Sequence, residues 1–92
     1  MVDSAFHEAH TLHMERIRGL EETVATNVRA EMAAQKKTAK ELSAVLGIGY
    51  RAASRRVHGE VPYSLGELHS VASWLGVNVA LLMRTRESGV AA

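Results

Sequence analysis

Apolar residues along this 92-residue chain recur at helical spacing. No window sustains the period-two alternation of a half-buried strand, and alanine, a poor strand former, is abundant. Leu20, Val24, Val28 and Met32 fall at i, i+4, i+8 and i+12, one face of a long helix over about 20–34. Thr38 and Glu41 have the spacing of a capping box, in which each side chain accepts from the other residue's amide. Leu42, Val45 and Leu46 follow, and Gly47 supplies a left-handed stop, which bounds a helix over 38–46. Ser64 and Glu67 repeat the box, with Tyr63 and Leu68 placed as a hydrophobic staple. Leu68, Val71, Ala72 and Leu75 carry that helix to Gly76, over 64–75. Asn78 caps a last short helix over 79–83, with Val77 and Leu82 as its staple. Between Gly49 as cap and Gly59 as stop lies a helix over 50–58. The pattern predicts an all-α domain of five helices over 20–83. An extension over 1–19 precedes it, and a tail over 84–92 follows. In the extension, Ser4 caps a helix through Phe6, Ala9, Leu12 and Ile17, with Gly19 as a kink or break.

Composition removes several classes of protein. There is no cysteine, so a disulfide scaffold, a cysteine-ligated zinc finger and a thiol enzyme are excluded. No run approaches the roughly 18–20 apolar residues of a membrane span. The first residues hold acids and histidines where a signal peptide would place a basic patch. The expectation is a soluble, cytoplasmic protein. The net charge of +1 says little until it is divided. Residues 1–35 set six acids against three arginines, a net −3. Residues 36–60 set Lys36, Lys37, Lys40, Arg51, Arg55 and Arg56 against Glu41 and Glu60, a net +4, and residues 61–92 balance. A basic block over two short helices points toward a polyanion.

Two short helices across a glycine turn make a helix-turn-helix unit, whose second helix enters the DNA major groove. Here the resemblance becomes specific. Thr38-Ala39-Lys40-Glu41-Leu42-Ser43-Ala44-Val45-Leu46-Gly47-Ile48-Gly49 resembles the opening of the lambda-repressor/Cro-like helix-turn-helix family. The Gly47-to-Gly59 interval, Pro62, Ser64-Leu65 through Leu75-Gly76-Val77, and Leu81-Leu82 are similar to the rest of its domain. The match spans about residues 20–83. Ser43 stands where the family usually has Ala, Gly49 replaces the usual Ser or Thr, and Ala39 replaces a Gln that touches DNA in many members. Val57 and Met32 occupy the places of a Glu–Arg pair found in many members, and are expected to pack together instead.

On a helical wheel, Ala53 and Val57 point one way, and Arg51 and Arg55 the other, with His58 beside them. Tyr50 opens the helix and Ser54 lies on its flank. An arginine fork matches guanine O6 and N7, so Arg51 and Arg55 are the expected base readers, with Tyr50 and Ser54 beside them. Lys36, Lys37, Thr38, Lys40, Arg56, His58 and Tyr63 are candidate phosphate contacts, which set register and affinity. A solvated basic face is the plain alternative for such a helix.

The remaining features carry less. His7, His10 and His13 fall at i, i+3 and i+6, which suits a solvated terminus better than a metal site. No nucleophile–base arrangement and no phosphate-binding glycine loop occurs, so neither enzymatic activity, a cofactor nor a small-molecule substrate is expected. Phe6, Leu12, Ile17, Val79, Leu82 and Met83 are candidates for a homodimer seam. The final Val90-Ala91-Ala92 resembles small-apolar degradation signals. The resemblance implies a phage or bacterial repressor that binds an operator in double-stranded DNA as a dimer. Its rivals are an antitoxin of the same fold and a protein-interaction module.

Overall fold

A computed structural model describes the backbone of residues 2–85 and the side chains of residues 14–85. Five helices follow in order: α1 Val2–Ala34, α2 Ala39–Leu46, α3 Tyr50–Val57, α4 Leu65–Leu75 and α5 Val79–Leu82. The four expected from Thr38 onward agree to within a residue at each end. The beginning differs. Gly19 does not break the helix, and α1 runs through it as one element of 33 residues. A single mid-helix glycine costs about 1 kcal/mol, which neighbouring turns absorb when no capping geometry follows it. Phe6, the three N-terminal histidines, Leu12 and the Val-Ala-Ala end lie outside the described side chains.

The caps explain the boundaries. Thr38 Oγ1 accepts from the Glu41 amide at 3.2 Å, and the Thr38 amide donates to Glu41 Oε1 at 2.8 Å. Ser64 and Glu67 do the same at 3.1 and 3.0 Å. Asn78 Oδ1 accepts from the Ala80 amide. At their carboxyl ends α2, α3 and α4 close with one loop, in which the amide two places past the last turn reaches back five residues. Ile48 donates to Ser43 O, Glu60 to Arg55 O and Val77 to Ala72 O. This loop needs a left-handed residue, and Gly47, Gly59 and Gly76 supply it. α1 ends in the same way, with Lys37 donating to Met32 O, but here Lys36 takes the left-handed place at φ 57°.

The core gathers one face from every helix. Val24, Val28 and Met32 of α1 meet Leu42 of α2, Ala53 of α3, Leu68, Val71, Ala72 and Leu75 of α4, and Leu82 of α5. α2 packs on α3 and α4, and α1 lies across α3, α4 and α5. Met32 and Val57 join the same apolar cluster. Gly59 is required by its left-handed backbone, φ 79°; a Cβ there would meet Ala25 Cβ at 3.4 Å, a van der Waals contact with α1. Among the described residues, Asn27 is the polar side chain buried in the core; it donates from Nδ2 to Leu82 O at 2.8 Å and Arg84 O at 2.7 Å, tying α1 to the end of α5. Among the described residues, no helix is long and apolar enough to cross a membrane.

Candidate nucleic-acid interface

Fully buried Ala53 anchors α3, with Val57 half-buried on the same side. The opposite face is therefore turned outward. Arg51 and Arg55, one turn apart, are exposed, and so is Tyr50 at 61%. α3 begins at Gly49 without a side-chain cap. Ser54 is half-buried, and His58 Nδ1 lies 2.7 Å from its carbonyl oxygen. A carbonyl only accepts, so Nδ1 carries the proton.

The six cations of the basic block divide in two. Lys36, Lys40, Arg51 and Arg55 are exposed, with no side-chain hydrogen bond or ion pair among the described residues. Lys37 and Arg56 are committed to the fold. The Lys37 ammonium donates to Trp74 O at 2.7 Å and lies 4.8 Å from the centroid of the Trp74 ring. It thus caps the carboxyl end of α4, where the helix dipole favours a cation. Arg56 donates from Nε to Glu67 Oε1 at 3.0 Å and from Nη1 to Ala52 O. That hydrogen bond holds the Glu67 carboxyl below its ordinary value, against a smaller opposing effect of burial.

Three of the expected phosphate contacts are engaged or buried inside the domain in this structure. Lys37 and Arg56 spend their donors on Trp74 and Glu67, inside the domain. Tyr63 is the third: its hydroxyl is buried, without a hydrogen-bond partner among the described residues. Burial pushes its pKa up to about 12. As the staple of α4 it turns inward onto the core. The Thr38 hydroxyl is engaged with Glu41, where it serves the cap of α2. Leu82, expected at a dimer seam, is fully buried and belongs to the core, where Val79 also packs. Met83 and Ile17 are exposed.

Three supporting residues escaped the sequence reading. Arg29 donates from Nη1 to Val57 O at 2.7 Å, so α1 caps the carboxyl end of α3. Gln35 donates to Leu75 O at 2.8 Å, beside Lys37. Asn27 completes the set. Glu67 was read as a capping residue, without its bond to Arg56. A cation one helical turn before Met32 was the available signal for Arg29; the other two have no local signature. A groove of about 560 Å³ lies where Arg29, Met32 and Lys37 approach Val57. Its two cations already face carbonyls, which leaves mainly an apolar floor. No group of three or more metal-ligating side chains comes together among the described residues.

The chain matches the family described as the BetR domain over residues 10–92, and it belongs to that family of small helical domains. No curated protein and no solved structure matches it.

Proposed function

We propose that this domain is a transcriptional regulator that binds double-stranded DNA in a sequence-specific way, in the manner of the lambda-repressor/Cro-like proteins its sequence resembles. One observation carries the reading. After the fold has taken the cations it needs, Arg51 and Arg55 are left bare on the outward face of the second helix of a helix-turn-helix pair. Their forks read guanine edges in the major groove, with Tyr50 and Ser54 at the margin. Lys36 and Lys40 supply the sequence-independent attraction to phosphate. Occupancy of an operator by the domain represses transcription.

The test is fluorescence anisotropy on a selected site and on random duplex, at several salt concentrations. Arg51→Ala and Arg55→Ala each lower specific affinity by about 1–3 kcal/mol and relax one base preference. Lys40→Ala weakens both duplexes alike and reduces the salt slope by about 1. Equal losses on both duplexes for all three variants would refute base reading by α3.

A further inference from the structure

α1 is longer than the core needs. At 1.5 Å per residue its 33 residues span about 50 Å, against a longest molecular dimension of 52 Å. The first side chain of α1 that is buried, among those described, is Val24. Residues 14–22 are all exposed. Yet the apolar face does not stop at Val24. At about 100° per residue, Met14, Ile17 and Leu20 fall in the sector that holds Val24, Val28 and Met32 lower down. They are 44%, 40% and 42% exposed. The core stripe of α1 thus continues for two turns past the globule, with no other helix of the chain on it.

We infer that the exposed Met14–Ile17–Leu20 stripe of α1 pairs with the same stripe of a second copy, the two helices crossing antiparallel at an incline about a centre near residues 18 and 19. Two observations select this partner and this direction. The first is charge. Glu21 lies within the stripe, between Ile17 and Met14 around the helix, and Arg18 at its edge, where both line a cavity against the turn at residues 59–63; neither forms an ion pair within the described chain. An antiparallel copy presents the two in reversed order, so Arg18 meets the partner's Glu21 on both sides of the two-fold axis. Glu15 and Glu22 lie toward the outer face, where their repulsion is solvated. The second is space. Beyond Val24 the same face of α1 is covered by α3, α4 and α5. A parallel pair would drive two globules into one volume. An antiparallel pair sets them at opposite ends, and the incline carries each amino-terminal arm past its partner's globule.

The experiment uses the full 92-residue chain in sedimentation equilibrium from micromolar to millimolar concentration. The wild type passes from monomer to dimer. Ile17→Glu and Leu20→Glu each raise the dimer dissociation constant at least tenfold. Both sites lie outside the core, so the monomer's circular dichroism and thermal midpoint stay unchanged. Arg18→Glu alone also weakens the dimer, and Arg18→Glu with Glu21→Arg restores it. Direction is read from a spin label on Ala34→Cys, the only thiol in that chain. Its distance to the label in the partner exceeds about 35 Å for the antiparallel pair, from 1.5 Å of rise per residue. A monomer at every concentration, failure of the charge swap to restore pairing, or a label distance under about 25 Å would each overturn the proposal.

Discussion

Tyr63 and Glu67 sit four residues apart and answer to opposite ends of the pH scale. The Tyr63 hydroxyl is desolvated without a partner among the described residues, so deleting it removes a penalty. Tyr63→Phe is expected to leave stability unchanged or raise it by up to about 1 kcal/mol, measured by denaturant unfolding at neutral pH. In the unfolded chain this tyrosine ionises near 10, and in the fold near 12. Stability therefore does not depend on this proton below pH 10 and falls as pH rises from the unfolded to the folded value; that alkaline loss is absent from the Tyr63→Phe variant. Glu67 has the reverse sign. Its folded value lies below the ordinary 4.5. Its contribution is therefore present above pH 4.5 and lost as pH falls through the lowered value. Arg56→Met removes the hydrogen bond responsible, and its acid-unfolding curve is expected to lose that component. Circular dichroism between pH 2 and 6 checks it.

At the scale of the element, four of the five helices close with the same loop, and α1 alone closes it without glycine. Lys36 holds a left-handed conformation that costs an L-residue about 1–2 kcal/mol, partly offset by its lower freedom when unfolded. Lys36→Gly should raise stability by roughly 0.5–1 kcal/mol, visible as a higher thermal midpoint. Because Lys36 is also a proposed phosphate contact, the same variant binds DNA less tightly. Caps and left-handed stops are local chemistry, which is why helices α2 to α5 were legible from their sequence. Ala53 inside and Arg51 with Arg55 outside followed from periodicity alone. The commitments of Lys37 and Arg56 were not legible, since Trp74 and Glu67 lie 37 and 11 residues away. Nothing near Lys37 distinguishes an ammonium bound for a carbonyl from one bound for a phosphate. Gly19 misled for a related reason: a glycine stops a helix only where the next amides turn back to cap it, and α1 instead continues.

For the whole molecule, the division of charge found in the sequence changes its meaning. Part of the basic middle block is mortar between α1, α3 and α4, and the remainder stays bare on the outside. Arg29 and Lys37 hold the carboxyl ends of α3 and α4, so the orientation of α3 depends on α1 and on the turn that follows it. Arg29→Met should leave the bare face of α3 chemically intact while loosening its end. The expected result is faster amide exchange at Val57 through Gly59, with a smaller loss of DNA affinity than for Arg55→Ala, measured by hydrogen exchange and anisotropy. The core stripe, read from sequence as stopping at Leu20, in fact belongs to one helix longer than the domain it supports.

The clasp of Asn27 has a consequence in time. Its acceptors lie 55 and 57 residues along the chain, and the four-residue α5 is far too short to hold itself as a helix. Closing so long a loop is an entropic cost that is met after the local helices and the α2–α3 pair have formed. α5 is therefore expected to dock last and to leave first. Asn27→Ala should cost about 2 kcal/mol, almost all of it in the unfolding arm of a chevron plot. Unfolding accelerates roughly thirtyfold while refolding is unchanged. The lifetime of the folded domain thus rests on one amide group at its carboxyl-terminal latch.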